Sequence, residues 1–130
     1  MHEVRRVATV PIASIVEDDS SVRLAHSSLL RSIGWRVRLY ESAESFLESG
    51  RIADVACVIC DVQMPGLSGL QMHCRLLEKG HTLPVIFVTA FPSDAMRNQA
   101  LKQGALCLLA KPVDDAEITE CLDRIWKASQ

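Results

Sequence analysis

The 130-residue sequence has no apolar stretch approaching the ~20 residues that a membrane-spanning helix requires, no low-complexity segment and no internal linker. These absences exclude a membrane span and leave one domain with a single substantial core. An excess of charge is missing too: the net charge is −2, and Lys and Arg are scattered without forming a basic stripe. Direct nucleic-acid binding by this chain therefore has no electrostatic footprint. The five cysteines Cys57, Cys60, Cys74, Cys107 and Cys121 are an odd number spread through apolar segments, and the four histidines lack metal-ligand spacing. Free buried thiols in a reducing cytoplasm are the expectation. Arg5-Arg6 and the apolar run Val7 to Val16 lead straight into acidic residues with no small-residue cleavage site. The start reads as a flexible extension over 1–10 plus a first strand.

What is present is an alternation of short apolar runs and amphipathic segments. Ile12 to Val16 reads as a strand entering Glu17, Asp18 and Asp19, with Ser20 and Ser21 as N-caps of a helix whose apolar face is Val22, Ala25, Leu29 and Ile33. Trp35 to Tyr40 alternates as a half-solvated strand, and Ser42 opens a short helix ending at Gly50. Val55 onward (VACVICD) is a buried strand ending at Asp61, followed by a Pro/Gly turn and a helix from Ser68 or Gly69 with Leu70, Cys74 and Leu77 on one face. Pro84 to Thr89 is a fourth strand, and the helix from Pro92-Ser93-Asp94 to Gln103 has a sparse apolar face. Ala105 to Ala110 is a fifth strand, and a last helix capped by Asp114 or Asp115 buries Ile118, Leu122 and Ile125. Five such units predict an α/β fold: a doubly wound five-stranded parallel sheet of order 2-1-3-4-5 with five helices.

In that fold the carboxyl ends of the strands share one rim, where sites form. The rim carries Glu17 and Asp18 from the first strand, Asp61 from the third, Thr89 from the fourth and Lys111 from the fifth. Adjacent carboxylates repel one another unless a cation enters, and hard oxygen ligands suit Mg²⁺ or a similar divalent ion. The acidic triplet taken alone is equally consistent with helix capping. A flavin or nucleotide site is excluded, because the loop after the first strand offers negative charge where those folds offer backbone amides to a phosphate. Carboxylates can form aspartyl phosphates, which makes Asp61 the natural acceptor, with the Thr89 hydroxyl and Lys111 ammonium suited to a transferring phosphoryl group.

The segments IVEDDSSVR, CDVQMPGLSGLQ, VIFVTAF and LLAKPVDD resemble those of response regulator receiver domains of bacterial two-component systems, across nearly the whole chain. The resemblance implies a flavodoxin-like fold and Mg²⁺-dependent (or Mn²⁺-dependent) phosphoryl transfer from a histidine kinase or phosphotransfer protein to Asp61. Glu17, Asp18, Asp61 and the backbone carbonyl of Gln63 would hold the metal, Thr89 and Lys111 would contact the phosphoryl group, and the Lys111-Pro112 bond would be cis. It also implies partner or self association through the face of the fourth helix, fifth strand and fifth helix. An output domain outside this chain, of the helix-turn-helix kind, is a further expectation, as is the absence of turnover catalysis.

Departures from the family pattern bear on switching and tuning. Leu108 stands where receivers usually carry a Phe or Tyr that moves with the threonine, so the signal is expected to leave through the helix after Thr89 and Ala90. Phe91 and Gln63 flank the path of the water that hydrolyses the acyl phosphate, and a bulky Phe91 predicts slow self-dephosphorylation. Two rivals are a phospho-independent docking module and an aspartyl-phosphate phosphohydrolase. The latter needs an acid two residues beyond the nucleophile, where Gln63 stands.

Overall fold

Helices cover both faces of a five-stranded parallel sheet in the computed structural model, which describes residues 10–128. In chain order the elements are β1 (Ile12–Val16), α1 (Ser20–Ser32), β2 (Arg36–Tyr40), α2 (Ala43–Leu47), β3 (Cys57–Asp61), α3 (Gly69–Glu78), β4 (Val85–Thr89), α4 (Asp94–Lys102), β5 (Cys107–Ala110) and α5 (Asp115–Ala128). The strands run β2-β1-β3-β4-β5, every neighbour parallel, as the alternation of elements predicts. The extension expected over 1–10 lies outside the described residues except for Val10, which is exposed.

All residues of β1, β3 and β4 are buried, the consequence of placing short apolar strands between two helical layers. The period-two alternation of a strand sends Val58 and Cys60 of β3 into one core with Phe46 of α2, Met72 and Leu76 of α3 and Ala100 of α4. Cys57 and Ile59 enter the other, with Leu30 of α1 and Ile118, Leu122 and Ile125 of α5. Edge strand β2 is more open, and Arg38 makes a bidentate pair with Asp54 at 2.7 Å for each bond.

Three local readings need correction. Asp19, rather than Ser20 or Ser21, caps α1: its carboxylate accepts the backbone N–H groups of Ser21 and Val22 at 2.9 and 3.2 Å. The buried face of α1 is His26, Ser27 and Leu30, while Ala25 and Ile33 are exposed. In α3 it is Leu70, Met72, His73 and Leu76, leaving Leu77 exposed. Both true stripes contain a histidine, which a reading that counts only aliphatic residues passes over.

The turn between β3 and α3 is fixed at both ends. Ser68 and Gln71 form a reciprocal capping box, the Gly69 N–H donates to the Val62 carbonyl at 2.8 Å, and the Leu67 N–H donates to the Glu44 carboxylate of α2 at 3.0 Å. That bond holds the Glu44 carboxyl below its ordinary range. Gly66 turns the chain at φ +79°. Gly69 allows close approach: a Cβ there would collide with the Asp61 carbonyl oxygen and lie 3.0 Å from Cys60 Sγ. Because backbone cannot swing aside, Gly69→Ala should destabilise the fold by roughly 1–3 kcal/mol in chemical denaturation, despite alanine's better helix propensity.

Candidate functional site

The ends of β1, β3, β4 and β5 converge on one rim. The Glu17 N–H extends the β1–β2 ladder to the Tyr40 carbonyl at 3.0 Å, and Arg23 Nη1 of α1 donates to the Glu17 carbonyl at 2.7 Å. With its backbone held so, the Glu17 side chain is 1% exposed; Asp18 is exposed at the rim and Asp19 caps the helix. The acidic triplet thus divides into three roles, only one of which is capping.

Glu17, Asp18 and Asp61 each offer a carboxylate oxygen, and these oxygens lie within 4.8 Å of one another. Lys111 reaches into the group from the end of β5, with Nζ 2.8 Å from Glu17 Oε1 and 3.1 Å from Asp61 Oδ2. Its bond to Asp61 has hydrogen-bond geometry; its approach to Glu17 Oε1 is an ion-pair contact that leaves that buried oxygen without a hydrogen bond. Glu17 Oε2 accepts the Asp19 N–H at 3.2 Å, and Asp61 Oδ1 accepts the Gln63 N–H at 3.2 Å. Burial is the main cause that raises the Glu17 carboxyl from 4.5 to about 7; Asp61 adds to it, and Lys111 and the Asp19 amide oppose it. Burial also acts against the charge on Lys111, but its two carboxylate partners outweigh that and raise its pKa above the ordinary lysine value.

Thr89, the last residue of β4, is fully buried; its carbonyl accepts the Lys111 N–H at 2.8 Å and its Oγ1 accepts the Phe91 N–H at 3.2 Å. Ala90 is exposed, and so is the Phe91 side chain, at 74%. Gln63 is exposed beside Asp61, and the Lys111-Pro112 bond is cis. Leu108 is buried in the core of α2, α3 and α4. The structure therefore brings Glu17, Asp18, Asp61, Thr89 and Lys111 to one rim, with Gln63, Ala90 and Phe91 around it, and leaves Leu108 behind the rim.

Sequence reading missed the supports of this site. Arg23 fixes the Glu17 backbone, and His26 of α1, buried with Nδ1 unpaired, has a pKa lowered by burial first and by the nearby Lys111 charge second. Helix α4 buries only Ala100 and is held by polar contacts at both ends. Arg97 Nη1 donates to the Leu108 carbonyl at 3.2 Å; Gln103 Nε2 donates to the Leu70 carbonyl at 3.3 Å and lies 3.2 Å from His73 Nδ1. No spacing rule links residues this far apart in sequence, so only the cap at Asp19 had a local signal.

Comparison with known proteins agrees with this architecture. Residues 13–123 match the response regulator receiver domain family. The transcriptional regulatory protein TdiR of Thauera aromatica is 38% identical over 109 residues, 84% of this chain and 48% of that protein. The response regulator protein TmoT of Ectopseudomonas mendocina is 41% identical over 105 residues, 80% of this chain and 47% of that protein. The chain thus spans about half the length of these curated relatives. Among solved structures, FixJ-N superposes with a TM-score of 0.79 at 29% identity, covering 90% of this chain and 94% of that one. The response regulator StyR superposes with a TM-score of 0.83 at 33% identity, covering 89% of this chain and 59% of that one. With its sheet order, its rim and these matches in agreement, the chain belongs to the response regulator receiver domain family.

Proposed function

We propose that this domain accepts a phosphoryl group on Asp61 from the phosphohistidine of a sensor histidine kinase or phosphotransfer protein, in a Mg²⁺-dependent reaction. The observation that carries this reading is the Asp61 carboxylate held between the Lys111 ammonium on one side and the Glu17 and Asp18 carboxylates on the other. The donor set fits a hard divalent cation: three carboxylate oxygens converge within 4.8 Å, with Lys111 as their counter-charge. Glu17, Asp18, Asp61 and the Gln63 carbonyl would hold Mg²⁺ or Mn²⁺. When bound, the ion supplies charge that offsets the carboxylates and the incoming phosphoryl oxygens.

An Asp61 carboxylate oxygen attacks phosphorus, the N–P bond of the donor breaks, and the imidazole leaves with the electron pair and takes up a proton. Lys111 Nζ, already 3.1 Å from Asp61 Oδ2, balances charge on the transferred group. The Thr89 hydroxyl, whose oxygen accepts from the Phe91 amide, keeps its proton to donate to a phosphoryl oxygen. Gln63 offers no acid for turnover of small phosphate esters, which favours a self-modifying receiver over an enzyme. Phe91, at the mouth, shields the acyl phosphate from water. The domain serves as the phosphorylation-controlled half of a longer cytoplasmic regulator, with transcription as the output by analogy with TdiR. The face of α4, β5 and α5 provides partner or self association.

Incubation with a small phosphodonor and Mg²⁺ should give one phosphoryl adduct by intact mass, absent in Asp61→Asn and without metal. Its lifetime should shorten in Phe91→Ala. No adduct under any condition would favour the phospho-independent docking module.

Protonation of Glu17 gives a second test. Its folded pKa of about 7 exceeds the unfolded 4.5, so between these values the unfolded chain loses a proton that the metal-free fold retains. Stability from this group is therefore greatest below pH 4.5 and falls until about pH 7, by on the order of 2–3 kcal/mol. Burial lowers the pKa of His26 and His73, which gives the opposite slope below pH 6.5. The comparison that isolates Glu17 is wild type against Glu17→Gln in urea denaturation, where the variant should lack the fall and millimolar Mg²⁺ should remove it from wild type.

With Leu108 in place of an aromatic, the readout runs through α4, whose single buried residue and polar tethers make it easy to release. Hydrogen exchange with a phosphoryl mimic should change most over Ser93 to Gln103; an unchanged helix there would place the readout elsewhere.

A further inference from the structure

Cys107 and Cys121 are 14 residues apart in sequence, yet their Sγ atoms lie 2.8 Å apart, one on β5 and the other on α5. A disulfide bond is about 2.05 Å long, so closure needs the sulfurs to move together by less than about 1 Å. Both are free thiols: Cys107 is partly exposed and Cys121 buried at 4%. Arg124 Nη2, one turn along α5, donates to Cys121 Sγ at 3.6 Å. Burial first and the Cys121 contact second push the Cys107 thiol up to about 12. The two sulfurs thus have different neighbours: Cys121 touches both Arg124 and Cys107, and Cys107 is pressed against Cys121.

We infer that Cys107 and Cys121 form a redox-active pair that closes reversibly to a disulfide when a hydroperoxide oxidises the protein. The Cys121 thiolate attacks a peroxide oxygen, the O–O bond breaks, hydroxide leaves, and sulfur becomes a sulfenic acid. The Cys107 thiol then attacks that sulfur; the S–O bond breaks, the S–S bond forms, and the thiol proton leaves with the oxygen as water. Each sulfur gives up one electron, and the peroxide takes two. The ring so closed contains Lys111 and the whole β5–α5 connection. Oxidation therefore ties α5 to the start of β5, whether or not Asp61 carries phosphate.

The competitors are Cys57, fully buried in the same core, Cys60, buried in the opposite core, and Cys74, partly exposed on α3. The test treats the reduced chain with hydrogen peroxide, caps remaining thiols with iodoacetamide after unfolding, and maps peptides without reductant. The expected result is the loss of two hydrogens from the intact mass, a linked peptide pair containing Cys107 and Cys121, three capped cysteines, and full reversal by dithiothreitol. Cys107→Ser and Cys121→Ser should each abolish the linked pair. The inference is overturned by five capped cysteines, by a bond to Cys57, or by oxidation that stops at sulfinic acid without a bond. The wild-type map decides the matter even where a serine variant folds poorly.

Discussion

The contact on which the rim depends is the Lys111 ammonium between Glu17 and Asp61. Three carboxylates within 4.8 Å would repel one another and resist burial, and a single cation at the end of β5 offsets two of them. The position of that cation is a backbone matter: the Lys111 N–H is bonded to the Thr89 carbonyl, so β4 and β5 together deliver the side chain. Compensation is incomplete: burial first, and the neighbouring Asp61 charge after it, keep the Glu17 carboxyl raised despite Lys111. Three carboxylates against one ammonium leave room for a second, divalent cation, and the same shortfall makes the site receptive to an anion only when that cation accompanies it.

Strands were more legible than helices, for a physical reason. A five-residue strand between two helical layers must be apolar throughout, so β1, β3 and β4 announce themselves and end where polarity begins, at Glu17, beyond Asp61 and at Thr89. Site residues sit at those ends and were legible with them. Short helices on a sheet bury a narrow stripe, and the choice between adjacent stripes turns on one or two residues. Counting aliphatic residues in α1 selected Val22, Ala25, Leu29 and Ile33, whereas the sheet receives His26, Ser27 and Leu30. The packed stripe tolerates His26 and Ser27 because Ser27 Oγ accepts from Arg31 Nε and His26 is neutral by burial.

Contacts between residues distant in sequence were illegible altogether. Cys107 and Cys121 read as unrelated buried thiols because no motif has their spacing; only the return of α5 over β5 brings them together. Arg97 and Leu108 form a second case, a side chain from one helix meeting the carbonyl of the next strand.

That second case bears on the lack of an aromatic at Leu108. Leu108 is 4% exposed within a full core, and the link between β5 and α4 at this residue is the hydrogen bond from Arg97 to its carbonyl. A core side chain rearranges only by displacing neighbours, whereas a charged side chain on a largely exposed helix can exchange a carbonyl for water at a net cost of about 1–2 kcal/mol. The α4 helix has few other anchors: Ala100 is buried, Met96 packs partly buried against the core, and Gln103 ties the far end through similar bonds. The side of α4 that meets the sheet is therefore held by polar tethers, from Arg97 to the Leu108 carbonyl and from Gln103 to the Leu70 carbonyl, beside the packing of Ala100 and Met96.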